Sequence, residues 1–277
     1  MPIERYGDRE LPALRAAGQV AAETLRVVSA QLAPGMSTAD IDRLVREDTA
    51  RRGARPSQLG YHGFPATVCT SRNHVVCHGI PSPRDILRDG DILNVDVTSE
   101  LAGFHGDTSA TFAIGRIGAD AQHVLDVARR CLWAGIEQVR PGARLGDVGC
   151  AIEELAKREG CSVVRDFGGH GIGRHMHMEP HVSHFGARGT GLRLKPGMTF
   201  TIEPMVNLGR PEVRMLEDGW TVVTADGSLS AQFEHTVYVT HTGYEIFTLQ
   251  APVQVSGRAA PDPAYATHSS DTRSNPC

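Results

Sequence analysis

Asn94-Val95-Asp96-Val97-Thr98-Ser99-Glu100-Leu101-Ala102-Gly103-Phe104-His105-Gly106-Asp107-Thr108 decides how the chain is read, because it brings two carboxylates onto one face of a hairpin. Ile92, Asn94, Asp96 and Thr98 alternate with Leu93, Val95 and Val97, the period of a strand with one polar face. A second strand is expected from about Phe104 to Phe112, with the turn centred near Leu101-Ala102. In an unbulged antiparallel hairpin that turn sets Asp96 opposite Asp107, with Cβ atoms about 4.5 to 5.5 Å apart. Two like charges at that distance need a cation between them.

Outward from this hairpin the chain is punctuated by helices. Leu11, Leu14, Ala17, Ala21, Leu25 and Val28 recur at helical spacing up to the break at Pro34-Gly35. Ser37 with Asp40 has the form of a capping pair, and Ile41, Leu44 and Val45 carry a second helix that stops near Gly53.

The same pattern returns at a fixed offset. Ala33-Pro34-Gly35, Asp40-Ile41, Leu44-Val45 and Gly53 reappear 107 residues later as Arg140-Pro141-Gly142, Asp147-Val148, Ala151-Ile152 and Gly160. A long helix, about Ala119 to Val139, again precedes the Pro-Gly break. The offset carries Asp96 onto Glu203 in Phe200-Thr201-Ile202-Glu203-Pro204, and Asp107 finds its counterpart at Glu234 once residues 206–226 are allowed as an insertion. The reading is an α/β (α+β) chain of two similar halves, about 9–115 and 116–249, each with helices against a curved antiparallel sheet. Together they make one domain over 1–254. A ligand cleft belongs between the halves. Residues 255–277, rich in Pro, Ser, Asp and Ala, read as a disordered tail.

Composition narrows the classes. The 277 residues carry a formal net charge of -4 and 40% apolar residues, which excludes a bulk electrostatic bias toward nucleic acid and a membrane span. The first ten residues lack the apolar core of a signal peptide, and the six cysteines form no C-x-x-C pair. A cytoplasmic monomer with reduced thiols is expected.

Four carboxylates on paired strands, joined by a histidine, would make a two-metal site of the hydrolase kind. The residues alone leave the histidine open among His170, His175, His177, His181 and His184. Glycines flank His170 and would let backbone approach a ligand. The glycine pattern is not G-x-G-x-x-G, and the chain contains no H-E-x-x-H.

Six segments in order resemble the type I methionine aminopeptidases, pita-bread metallopeptidases. They are Val76-Cys77-His78-Gly79-Ile80-Pro81, Asn94-Val95-Asp96-Val97, His105-Gly106-Asp107, Gly169-His170-Gly171-Ile172-Gly173, Phe200-Thr201-Ile202-Glu203-Pro204 and Ala231-Gln232-Phe233-Glu234-His235-Thr236. The resemblance covers about Arg9 to Leu249. It implies the pita-bread fold and makes Asp96, Asp107, His170, Glu203 and Glu234 the ligands of two divalent metal ions, with Asp107 and Glu234 bridging both. It further implies that His177 hydrogen-bonds the scissile carbonyl, that His78 contacts the peptide nitrogen beyond it, and that Glu203 relays a proton to the leaving amine. Tyr61, Phe64, Cys69 and Trp220 would line the pocket for the methionine side chain.

The implied activity is removal of the N-terminal methionine from nascent polypeptides when the second residue is small, at the ribosome or soon after, with no nucleic acid specificity and no membrane. Oxygen-rich ligation suits Mn(II), Fe(II) or Co(II), with Zn(II) or Ni(II) able to occupy the same donors. Asn73, Val75 and Ser230 match positions that hold a monovalent cation in some relatives. The chain departs from the family at Met176, where Phe is usual, and at Phe64, where Tyr is frequent. Two alternatives share the fold: a proline-specific aminopeptidase or prolidase, whose large N-terminal domain has no counterpart in the roughly sixty residues before Tyr61, and a non-catalytic binding protein, which would have lost ligands.

Overall fold

A computed structural model describes residues 3–249 and the backbone of one short strand pair, Gln254–Val255 with Arg258–Ala259. The tail expected at 255–277 lies outside the described residues apart from that pair. The central hairpin joins Ile92–Leu101 to Phe104–Ala113 through all ten residues of each strand. Its register differs from the sequence expectation. Leu101 pairs with Phe104, so the turn is Ala102-Gly103, and Asp96 faces Ser109 while Thr98 faces Asp107. The reason is turn chemistry. A two-residue loop that matches strand twist needs positive φ at both residues, and Ala102 (φ 52) with Gly103 (φ 81) meets that at lower cost than Leu101 would. Glu100 Oε1 accepts the Gly103 N–H at 3.0 Å and fixes the turn. The two aspartates are diagonal neighbours on the same polar face instead of a direct pair.

The opposite face of the hairpin, with Leu93, Val95, Val97 and Ala110, is buried in the main core. Helix α1 (Leu11–Ser29) lies across the hairpin at very close range. A Cβ on Gly106 would stand 2.5 Å from backbone atoms of Ala17 and Gly18, and one on Gly18 would stand 2.6 Å from the Phe247 carbonyl oxygen. Helix α2 (Thr38–Arg51) starts with a full capping box between Ser37 and Asp40.

Helices α3 (Ala119–Ile136) and α4 (Leu145–Arg158) pack together beside the second set of strands. The offset of 107 runs through backbone details. Gly35 N–H donates to Leu87 O at 2.8 Å, and Gly142 N–H donates to Leu194 O at 2.9 Å. Isolated bridges join Ser37 to Ile86 and Arg144 to Arg193. Thr199–Ile202 pairs with His235–Val239 on one side and with Gly169–Gly171 on the other, and Met178–Val182 is the outer strand of that sheet.

Threonine and asparagine side chains tie the hairpin to residues 232–236. Thr236 Oγ1 donates to Asp107 O at 2.8 Å and accepts its N–H at 3.1 Å. Thr108 Oγ1 donates to Glu234 O at 2.8 Å, Thr111 Oγ1 donates to Gln232 O at 2.8 Å, and Asn94 Nδ2 donates to the same oxygen at 3.0 Å. The Glu234 N–H donates to Ser109 O at 2.9 Å. No helix among the described residues is long and apolar enough to cross a membrane.

Gly18 provides a test of this packing. In an exposed helix interior Gly→Ala gains about 1 kcal/mol. Here the added methyl meets the Phe247 backbone, so Gly18→Ala is expected to destabilise by about 1–3 kcal/mol, the usual cost of overpacking. Urea unfolding followed by circular dichroism measures it, and a midpoint equal to or above the parent's would show that α1 does not sit this close.

Candidate metal centre and cleft

Asp96 and Asp107 leave the hairpin's polar face pointing the same way, and each is held by its neighbours. Thr98 Oγ1 donates to Asp107 Oδ1 at 2.7 Å, and Gln58 Nε2 donates to the Asp96 backbone carbonyl at 2.9 Å. Glu203 follows Thr199–Ile202, where Pro204 interrupts the strand. Thr201 Oγ1 donates to Glu203 Oε1 at 2.7 Å and accepts the His170 N–H at 2.9 Å, so one hydroxyl orients two site residues. Gln232 Nε2 donates to Glu203 Oε2 at 3.2 Å. Fully buried His184 accepts the Glu203 N–H on Nε2 at 3.1 Å, which assigns its ring proton to Nδ1.

These elements converge. Asp107, His170 and Glu234 each offer one ligand atom within 4.8 Å of the others. His170 Nε2 stands 3.6 Å from Asp107 Oδ2 and 3.6 Å from Glu203 Oε1. Asp107 and Glu234 are buried, and Asp96 Oδ1 is a buried oxygen with no hydrogen-bond partner among the described residues.

Removal from water dominates the electrostatics. Burial pushes the Asp107 carboxyl up to about 7, against lowering by Thr98. Burial, with repulsion from Asp107, pushes Glu203 up to about 8. Asp96 and Glu234 are raised well above the ordinary carboxylate range by burial and by the other carboxylates. Burial drops the His170 imidazole to about 3, which leaves it neutral with a lone pair to offer. Four carboxylates that ionise only beside a cation, one neutral imidazole and an orphaned carboxylate oxygen fit two divalent cations: the charges balance and the donors are of the right type.

Next to this cluster is a cavity of about 200 Å³. Its lining includes Asp96, Asp107, His170, Glu203 and Glu234 with His78, His177, Tyr61, Phe64, Cys69 and Trp220, so every residue singled out for ligation, catalysis or the methionine pocket meets there. Phe64 packs edge-on to Trp220 with ring centroids 5.1 Å apart, and His78 stands edge-on to Trp220 at 6.3 Å. His177 lies against Tyr61 at 4.9 Å and against His170 at 4.1 Å. Burial lowers His177 to about 4 and also lowers His78, so both are neutral and each carries one ring N–H.

His78 has φ 56, a left-handed conformation that costs a non-glycine residue about 1–3 kcal/mol and recurs at functional sites. Met176 is buried beside His177 and walls the same cavity as Phe64. Gln58, His62, Thr98 and Met176 line it as well. The hairpin pattern could have given Thr98 had the turn been placed correctly; Gln58 comes from a loop with no periodic signal. Of the remaining histidines, His105 Nδ1 lies 2.8 Å from Ser57 Oγ and His235 Nδ1 2.9 Å from Thr248 Oγ1. Asn73 and Ser230 are joined by the Ser230 N–H to Asn73 O bond of 2.9 Å, next to Val75.

Residues 12–241 match the family model for metallopeptidase family M24. The chain is 50% identical over 246 residues to methionine aminopeptidase B of Synechocystis sp., covering 87% of this chain and 90% of that protein. It is 48% identical over 251 residues to the methionine aminopeptidase of Escherichia coli K12, covering 90% of this chain and 95% of the other. The crystal structure of methionine aminopeptidase from Rickettsia prowazekii superposes with a TM-score of 0.88 at 47% identity, covering 89% of this chain and all of that one.

The raised carboxyls make a pH prediction. Asp107 at about 7 and Glu203 at about 8 exceed their unfolded values of about 4, so without cations the folded chain holds extra protons. That contribution to stability is complete below the unfolded values and is lost as pH rises through 7 and 8. The depressed histidines act oppositely but are neutral in both states above about pH 7. In EDTA the melting temperature should therefore fall between pH 7 and pH 8.5, and the gain from saturating Mn(II) should widen over the same interval. A gain that is constant with pH would mean that the carboxylates are already ionised in the folded chain without cations.

Proposed function

This chain belongs to metallopeptidase family M24, among its methionine aminopeptidases, and from that premise we propose that it hydrolyses the first peptide bond of nascent chains that begin with methionine and a small second residue. The observation that carries the reading is the meeting, in one cavity of about 200 Å³, of four carboxylates and an imidazole with an apolar wall of Tyr61, Phe64, Cys69 and Trp220. Asp96, Asp107, His170, Glu203 and Glu234 would hold two divalent ions, and hard oxygen donors favour Mn(II), Fe(II) or Co(II). When bound, such ions acidify a water and polarise the scissile carbonyl.

The chain's own groups do the rest. The neutral His177 ring donates its N–H to the carbonyl oxygen as negative charge develops there, and the His78 ring N–H meets the backbone of the second residue. Glu203, oriented by Thr201 and Gln232 and ionised once a cation stands beside it, would take the proton from the attacking water and pass it to the departing amine. The Phe64–Trp220 edge contact and the Cys69 sulfur give the methionine thioether a polarisable apolar wall. His78 and His177 lie close to the reacting bond, so a bulky second side chain would displace the carbonyl from its donors, and about 1 Å of displacement costs on the order of 10²-fold. All eleven groups lie on one copy of the chain, so the reading needs no second subunit. The proline-specific and non-catalytic alternatives are not favoured, since all five donors are present and the relatives described above are methionine aminopeptidases.

The test is kcat/KM for Met-Ala-Ser, Met-Lys-Ser and Met-Leu-Ser with Mn(II) held constant. Met-Ala-Ser should exceed the other two by about 10²-fold, and comparable rates would mean that Met176 and Phe64 leave the cleft open. His177→Ala should keep its metal by elemental analysis and lose about 10²- to 10³-fold in kcat, as expected for loss of an oxyanion donor. Loss of metal instead would make His177 a ligand.

A further inference from the structure

Two further cavities lie along the Met178–Val182 strand. One, of about 260 Å³, shares His78, His170, His177 and Glu203 with the centre and extends over Asp166 to His181. The other, of about 370 Å³, also has His181 in its wall and continues over Glu179, Ser183, Phe185 and Thr190. His181 is exposed, pairs directly with His170 across the sheet, and belongs to both cavities, so they form one groove that leads away from the reacting centre. Met178–Val182 is the outer strand of its sheet, which leaves the groove along a strand edge that no other described strand covers.

We propose that this groove is a binding subsite for the third and following residues of the substrate, selective for a basic side chain. The inference rests on the methionine aminopeptidase reading. Paired residues such as His170 and His181 have Cα atoms about 4.5–5.5 Å apart, and an extended chain advances about 3.3 Å per residue. A substrate whose first peptide bond lies by His177 and Glu203 therefore passes His181 within about two residues. Its third to fifth residues then fall against the larger cavity.

The charge of the groove selects the side chain. Asp166 in the first cavity and Glu179 in the second are exposed, and neither has an ion-pair partner among the described residues. The ladder pairs Gly171 with Met178 and His170 with His181, so Glu179 and Pro180 are extra residues that bulge from it. The arginines near Phe185 are already engaged with α4: Arg165 stacks on the Phe185 ring and is paired to Glu153, and Arg188 is paired to Glu154 at 2.8 Å. Arg144 also reaches the wall of the larger cavity, where it is held to the Gly191 carbonyl at 2.6 Å, so the groove sets two unpaired carboxylates, Asp166 and Glu179, against one arginine tied to backbone.

The measurement uses the full chain loaded with Mn(II) and compares kcat/KM for Met-Ala-Ser, Met-Ala-Ser-Gly-Lys-Gly and Met-Ala-Ser-Gly-Glu-Gly at low and high salt. The lysine peptide should exceed the glutamate peptide and the tripeptide by about two- to fivefold at low salt, the range an exposed ion pair supports, and the advantage should shrink at high salt. Glu179→Gln should bring the lysine-to-glutamate ratio toward one, and Glu179→Lys should invert it. Equal kcat/KM for all three peptides, or a ratio that Glu179→Lys leaves unchanged, overturns the subsite alone. No hydrolysis of any of them overturns the methionine aminopeptidase reading and the subsite with it.

Discussion

Four carboxylates held out of water around one imidazole repel one another, and much of the surrounding structure serves to keep them there. A strand face of valines could hold the shape but would leave the carboxylate oxygens and the strand-end amides without partners. Threonine meets both needs. It is β-branched and so suits a strand, and its hydroxyl reaches the next strand's backbone or a carboxylate. Thr98, Thr108, Thr111, Thr201 and Thr236 all serve this way, directed at Asp107, Glu234 O, Gln232 O, Glu203 and Asp107 O. Each such bond contributes about 0.5–1.5 kcal/mol, more where the acceptor is charged, and together they offset part of the repulsion. Cations supply the rest of the compensation, which is why the metal-free carboxyls sit so far above their ordinary values.

The hairpin can carry this charged face because its other face is anchored. Gly106 and Gly18 let α1 approach to backbone contact, and a Cβ at either glycine would force the elements apart. The second half solves the same problem with the same turns: Gly35 and Gly142 take φ 92 and 87, and Gly90 and Gly197 take 96 and 93. Those positions are 107 residues apart, the same interval that separates Asp96 from Glu203. Positive-φ glycines fix where each strand begins, so the offset between turns becomes an offset between carboxylates.

This explains which parts of the molecule were legible in the sequence. Helices and Pro-Gly breaks are local signals, and the offset between them carried Asp96 onto Glu203, while Glu234 was reached from Asp107 only by allowing residues 206–226 as an insertion. The hairpin register was not legible from alternation, because a shift of the turn by one residue on each strand preserves the polar face and changes only the facing pair. Only the φ requirement of a two-residue loop separates Leu101-Ala102 from Ala102-Gly103. The choice among five histidines was equally hidden. His170 is brought to the carboxylates by Thr201 and by pairing with distant strands, whereas His184, buried more deeply, turns its ring to the backbone of Glu203. Only their partners separate them, and those partners lie far away in sequence.

The cleft also shows why strain and rigidity coincide in its wall. His78 sits in a left-handed conformation it would not choose alone, and the next residue explains what holds it. A Cβ on Gly79 would lie 2.1 Å from Thr70 O, so backbone meets backbone at that point, and the Thr70 N–H donates to Gly79 O at 2.9 Å. The Cys69–Arg72 strand that makes this contact also pairs Cys69 with Asp96. The same strand therefore fixes His78, Cys69 and Asp96 relative to one another. A substrate entering this cleft meets groups that are already aimed, so less of its binding energy goes into ordering the site and more remains for the geometry in which the bond breaks.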